Sequence, residues 1–205
     1  MSDELKERIV AVSLKQFEKH GIRKMTVQNL VAPLGISTKT VYKYFPDKEA
    51  LLKACLRLHY NKLAVDDEMI QKESLSPPYL LLKLGYHAVR LDFGMNHLFY
   101  HDLNYYYPKL QDATLGKQYS QYAGLLKQLF ERGKSEGYFR KDLQIPVILI
   151  SIRTLYTSIT RTDQFKKSGL SPENLIKNTV ETYIRGLCTA KGLADIDKNY
   201  SRITQ

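Results

Sequence analysis

Apolar residues recur every three to four positions along almost the whole of this 205-residue chain, and nowhere do β-branched and polar residues alternate long enough to make a strand. That one periodicity restricts the fold to the all-α class. Gly, Pro and capping residues then cut it into pieces. A first helix is expected from about Asp3 to His20, with Leu5, Ile9, Val10, Leu14 and Phe17 turned inward and Gly21 as its C-terminal stop. Thr26 caps a short helix over 27–34, closed by Gly35. Ser37 caps another of about eight residues, broken at Phe45-Pro46, and Asp47 opens the next. Pro33, late in the second helix, predicts a shortened or distorted last turn there. The fourth helix, roughly 48–66, carries Leu51, Cys55 and Leu58 on one stripe and Leu52, Leu56 and Leu63 on its neighbour, so it is expected to pack against two bodies.

A polar stretch, "DDEMIQKESLSPP", follows. Ser76 with Pro77 then opens a helix to about Phe93, Asn96 caps a short one, and Pro108 opens a longer one toward Glu136. Residues 145–163 read as another helix, and Ser171 with Pro172 starts the last, to about Lys191. Residues 192–205 are polar and read as a loose tail. The expected organisation is a three-helix domain over 1–48, a larger helical domain over 49–191, and the tail.

The formal charge of +10 suggests a polyanionic partner. Its distribution sharpens that: from Arg8 to Lys43 the cations Arg8, Lys15, Lys19, Arg23, Lys24, Lys39 and Lys43 face Glu18 alone. The stretch "GISTKTVYKYF", residues 35–45, concentrates the chemistry. With Ser37 as N-cap, Ile36 and Val41 occupy the two positions of a hydrophobic staple. Val41 and Phe45 then point inward with Tyr44 at the margin, while Lys39 and Lys43 point outward, flanked by Thr40 and Tyr42. Lysines can reach phosphates or guanine edges, and threonine and tyrosine hydroxyls can bond phosphate. A short helix, a tight turn containing Gly35 and this second helix make a helix-turn-helix, and the helix starts at Thr26 and Lys48 offer N–H groups toward phosphates.

Residues 9–52 resemble the N-terminal DNA-binding domain of the TetR family of transcriptional regulators. The matching landmarks are Ala11, Phe17, Gly21, Thr26-Val27, Gly35, Ser37, Thr40-Val41-Tyr42, Phe45, Lys48 and Leu51-Leu52. The resemblance implies that Thr26, Thr38, Lys39, Thr40, Tyr42, Tyr44 and Lys48 contact DNA, with Lys43 added from its outward position. It also implies a helical ligand-binding and dimerising domain in the rest of the chain. Leu30-Val31 stands where Ile-Ala is commoner, and Tyr44 where histidine is frequent.

Eight of the fifteen tyrosines fall between Tyr79 and Tyr122, together with Phe93, Phe99 and three histidines. Aromatics with polar tips suit a small-molecule cavity, and they equally suit the filling of a helical core that lacks tryptophan. The candidate ligand residues are Tyr86, His87, Phe99, Tyr100, His101, Tyr105, Tyr122 and Tyr156. His97 and His101 share a helix face but lack the further ligands of a metal site, so no metal or cofactor is expected. The last two long helices carry more apolar surface than one inner stripe needs, and the resemblance implies that they form a homodimer interface.

Several classes are excluded by what the chain lacks: a Gly-rich phosphate loop, a GxSxG elbow and a metal-ligand set, so an enzyme is not expected. No run approaches about 18 apolar residues, the N-terminus "MSDELKERIV" is charged at once, and Cys55 and Cys188 have no ligand spacing. A cytoplasmic protein without membrane association is expected. The sequence points to a DNA-binding regulator, a ligand-responsive repressor that reads a pseudopalindromic double-stranded operator as a homodimer and takes a small-molecule effector. The alternative is an architectural DNA-binding protein without an effector.

Overall fold

The computed structural model describes residues 2–71, 75–162 and 164–204. Helix α1 (Ser2–His20) ends on Gly21, whose φ of 80° lies in the left-handed region that glycine enters without penalty. Helix α2 (Val27–Val31) starts where Thr26 Oγ1 accepts the Asn29 N–H at 3.2 Å. The chain then tightens into a 3-10 turn, Ala32–Leu34. This is the distortion expected from Pro33, which has no N–H to give the α-helical ladder. Gly35, at φ 64°, makes the left-handed exit.

Helix α3 (Thr38–Tyr42) is shorter than expected. Phe45 precedes Pro46, which disfavours the helical conformation there, and the last turn closes through Phe45 N–H on the Val41 carbonyl at 3.0 Å. Helix α4 (Lys48–Gln71) instead runs past its expected end, because residues 66–71 contain neither glycine nor proline. Residues 72–74 of the polar stretch, and the Leu63 side chain, lie outside the described residues.

The chain divides into two compact units. The first comprises Met1–Val65 with Met95–Gln118, and so contains α1, α2, α3, most of α4, and α6 (His97–Tyr106). Its interior holds Ile9, Phe17, Leu30, Val31, Leu51 and Leu52, with Phe99, Tyr100 and Leu103 buried from α6. Helix α1 packs against both α2 and α6. The compact unit around the helix-turn-helix thus reaches well beyond residue 48.

The second unit comprises Asp66–Gly94 with Tyr119–Gln205. Helix α5 (Pro77–Phe93) is its centre, buried at Tyr79, Leu80, Leu81, Leu82, Leu84 and Tyr86. Apolar residues right round a helix require neighbours on several sides. They are α8 (Ile145–Thr160), α9 (Pro172–Ile176) and α11 (Ala190–Thr204). Helix α7 (Pro108–Ser135) begins in the first unit and continues in the second, adding Leu126, Leu129 and Phe130 to the second core.

Two expectations are corrected here. The single helix expected from Pro172 to Lys191 is α9, a π-helical turn over Lys177–Glu181, and α10 (Thr182–Leu187). In the widened turn Thr182 Oγ1 donates to the Lys177 carbonyl at 2.8 Å. Glu181 faces inward, accepting from Tyr86 Oη at 2.6 Å and Arg185 Nε at 2.7 Å. The tail expected to be loose is helix α11, with Ile196 and Ile203 buried. Its Leu193, Ile196, Tyr200 and Ile203 form a helical stripe that a polar composition conceals.

Candidate nucleic-acid interface

Helix α3 separates its side chains into two faces. Ser37 Oγ accepts the Thr40 N–H at 3.2 Å and lies 3.0 Å from Thr40 Oγ1, which fixes the first turn. Val41 and Phe45 are buried, while Lys39 and Lys43 are exposed and Tyr42 is 50% exposed. Thr38, Thr40 and Tyr44 lie half-buried between the two faces. The outward surface therefore presents two ammonium groups and a phenol on a short rigid helix, which is the equipment for phosphate and base-edge contacts.

The flanking helix starts are more occupied than the sequence suggests. Thr26 is exposed, but its hydroxyl caps α2. At α4, Asp47 Oδ1 accepts the Ala50 N–H at 2.7 Å. The Lys48 ammonium turns back toward the protein: it donates to the Ile22 carbonyl at 2.6 Å and sits 6.0 Å from the Phe17 ring centroid. Burial lowers the Lys48 pKa, with the charge of Asp102 pulling the other way.

Three residues that the sequence did not mark as part of this region, Asn96, Asp102 and Tyr106, tie α6 to the α1–α2 turn. Asn96, the N-cap of α6, donates its N–H to the Glu18 carbonyl at 2.8 Å and its Nδ2 to the Lys19 carbonyl at 3.0 Å. Asp102 Oδ2 accepts the N–H groups of Ile22 at 2.9 Å and Arg23 at 2.7 Å. Arg23 Nη1 donates to Tyr106 Oη at 2.6 Å, with its guanidinium carbon 4.9 Å from that ring centroid. No local pattern could reveal these pairs, whose members lie 77 to 83 positions apart.

The eight candidate ligand residues do not share a unit. In the first, Phe99 and Tyr100 are buried in the packing, while His101 and Tyr105 stack on each other at the surface, Tyr105 being 72% exposed. In the second, Tyr86 is buried against Glu181, His87 and Tyr122 are half-buried, and Tyr156 donates to the buried Asp92. Burial raises the Tyr156 pKa well above 10.0, with the Asp92 charge adding to it. A surface groove of about 480 Å³ in the first unit is lined by Gln16, Lys19, His20, Lys24 and Asn96 among others. One of about 460 Å³ in the second is lined by Lys177, Glu181, Arg185, Asp197 and Tyr200 among others. Neither is lined by any of the eight.

Cys55 and Cys188 are both buried, and desolvation pushes the Cys188 thiol up to about 12 and the Cys55 thiol higher still, so neither is a reactive thiolate at neutral pH. Among the described residues no group of three or more His, Cys, Asp or Glu is placed to hold a metal ion, and no helix is long and apolar enough to cross a membrane.

Comparison with known proteins bears on both halves of this picture. Residues 9–55 match the model of the bacterial regulatory proteins of the tetR family. A segment of 96 residues, 44% of this chain, is 34% identical to the uncharacterized HTH-type transcriptional regulator YerO of Bacillus subtilis and covers 32% of that protein's length. Among solved structures, the ketosteroid transcriptional regulator KstR2 of Mycobacterium tuberculosis superposes with a TM-score of 0.68, at 18% identity over 90% of this chain and 95% of that one. A TetR-family regulator from Cytophaga hutchinsonii gives a TM-score of 0.72, at 16% identity over 92% and 96%. At such identities the structural likeness is one of fold. Residues 9–55 are thus similar to the DNA-binding segment of the tetR family of bacterial regulatory proteins, and the chain shares the all-helical fold of these solved regulators.

Proposed function

We propose that this chain is a ligand-responsive transcriptional repressor that binds a pseudopalindromic operator as a homodimer. The observation that carries the reading is α3, whose Lys39, Tyr42 and Lys43 are exposed opposite a buried Val41 and Phe45, within the segment that matches the family model. Thr38, Lys39, Thr40, Tyr42, Lys43 and Tyr44 are its DNA-facing residues, with Thr26 at the start of α2. Lys48 acts by anchoring α4 to the α1–α2 turn.

Two recognition helices enter successive major grooves when a dimer spaces them by about 34–36 Å. Exposed Val147 and Ile150 on α8, at 60% and 67%, support a subunit contact through α8 and the helical segment over 172–187. An effector held in the second unit would favour a conformation whose recognition helices miss that spacing. Effector and operator then oppose each other with reciprocal coupling of about 1–3 kcal/mol. The polar cluster of Tyr156, Asp92 and Tyr122 in the second unit is where such an effector would be held.

The test is selection of duplexes from a random pool by the purified chain, with light scattering of the chain and its complex. A recovered inverted repeat bound two chains at a time is the expected result; recovery of no preferred sequence would refute it. A second reading, an architectural DNA-binding protein without effector, draws on the burial of Tyr79, Tyr86, Phe99 and Tyr100 as core filler. Native mass spectrometry separates the two: a small molecule retained by the second unit and released on operator binding favours the repressor.

A further inference from the structure

We propose that Asp102 is a positioning residue for DNA binding, seated as an intramolecular anion in a nest of two backbone amides at the α1–α2 turn. The inference rests on the DNA-binding role proposed above. After α1, the left-handed Gly21 turns the N–H groups of Ile22 and Arg23 to one side. Successive backbone amides turned to one side make a concavity that binds anions. The anion here is one carboxylate oxygen, Asp102 Oδ2, at 2.9 and 2.7 Å, in the range of charge-assisted bonds. Asp102 is only 6% exposed, so the pair is shielded from water.

The rest of the turn is built around this seat. A Cβ on residue 21 would lie 3.0 Å from Leu98 Cβ and 3.3 Å from Asp102 Oδ2, so glycine is what lets α6 come this close. Asn96 holds the carbonyls of Glu18 and Lys19 on the α1 side of the same turn. Lys48 holds the Ile22 carbonyl, and His101 Nδ1 lies 3.7 Å from the other Asp102 oxygen. Both helices that bracket α3 depend on this turn: Arg23 leads into Thr26, the cap of α2, and Lys48 is the first residue of α4. The hydrogen bonds of Asp102 go to the turn, so its effect passes through the pose of the turn.

The test uses the full chain, a duplex selected by the wild-type protein, and an unrelated duplex of equal length. D102A should lose about tenfold or more in affinity for the selected duplex, the scale of a lost pair of hydrogen bonds to a charged group, and keep its affinity and salt dependence on the unrelated one. D102N, whose amide oxygen can still accept both N–H groups, should lose about threefold. Formate at constant ionic strength should refill the nest and restore D102A in part, which a general loss of folding would not allow. Wild-type affinity of D102A for the selected duplex overturns the proposal, as does an equal loss on both duplexes that formate leaves unchanged. If D102A does not fold, D102N decides: unchanged hydrogen exchange at the Ile22 and Arg23 amides, with unchanged selective affinity, overturns it. A wild-type chain that selects no duplex refutes the DNA-binding reading and this one with it, whereas selective wild-type binding with an unimpaired variant refutes this one alone.

Discussion

Lys48→Ala separates two roles that a lysine at the start of α4 can play. In the structure its ammonium spends a 2.6 Å hydrogen bond on the Ile22 carbonyl and lies near Phe17 and Asp102. A hydrogen bond from a charged donor contributes about 1.5–3 kcal/mol when well formed, and partial exposure of this one reduces the expected loss to about 1–2 kcal/mol. For a chain of this size that is a fall of about 2–8 °C in Tm. A lysine neutralising one phosphate per subunit would instead change the slope of log K against log[salt] by about 1.8 for a dimer on duplex DNA. The assay is fluorescence anisotropy of a labelled operator duplex between about 50 and 200 mM salt, beside thermal unfolding of the same samples. The expected outcome for Lys48→Ala is lower Tm with a slope changed by less than about 0.5, and for the exposed Lys43→Ala it is the reverse. A slope change near 1.8 for Lys48→Ala without loss of Tm would show that the carbonyl bond is not what the residue is for.

Lys39→Ala should alter which base pairs are preferred within the half-site, because Lys39 is exposed on the groove-facing side of α3; a uniform loss on all duplexes would make it a phosphate contact. Ile150→Glu places a charge on the exposed apolar face of α8 and should yield a monomer by light scattering that binds operator at least about tenfold more weakly, and a stable dimer would contradict the assigned interface. The Glu173 carboxyl is held below 4.5, first by hydrogen bonding to backbone at the start of α9, against the opposing effect of burial, and then by Ser171 and Arg90. A carboxyl lowered on folding stabilises above its unfolded pKa and loses that contribution as pH falls through its folded value, so Glu173→Gln should flatten the acid side of the stability profile below pH 4.5. An acid limb identical to wild type would contradict this.

The N-terminal helices were legible because their signals are local. Thr26, Ser37, Gly21, Gly35 and Pro33 each act within four residues of where they stand, and the structure shows each acting there. The opposed faces of α3 follow from helical period alone. What could not be read depends on distance or on context. Helix α11 was hidden because its apolar stripe is sparse, and the π-helical turn at Lys177–Glu181 has no sequence signature separable from an ordinary helix. The seat of Asp102 was invisible because its amides belong to residues some eighty positions earlier. The inward turn of Lys48 was likewise unreadable, since its partner is a main-chain oxygen, and every residue has one.

That the body around the helix-turn-helix borrows a helix from the middle of the chain limits how the molecule can be cut and recombined. A hybrid regulator made by joining residues 1–65 to a foreign sensory domain would bring the Gly21 turn without its carboxylate, leaving two inward amides with no acceptor. Such grafts should succeed only where the donor supplies an acidic side chain and an Asn-like cap at the matching places on its own equivalent of α6, or where the crossover point is moved to carry residues 95–118 along.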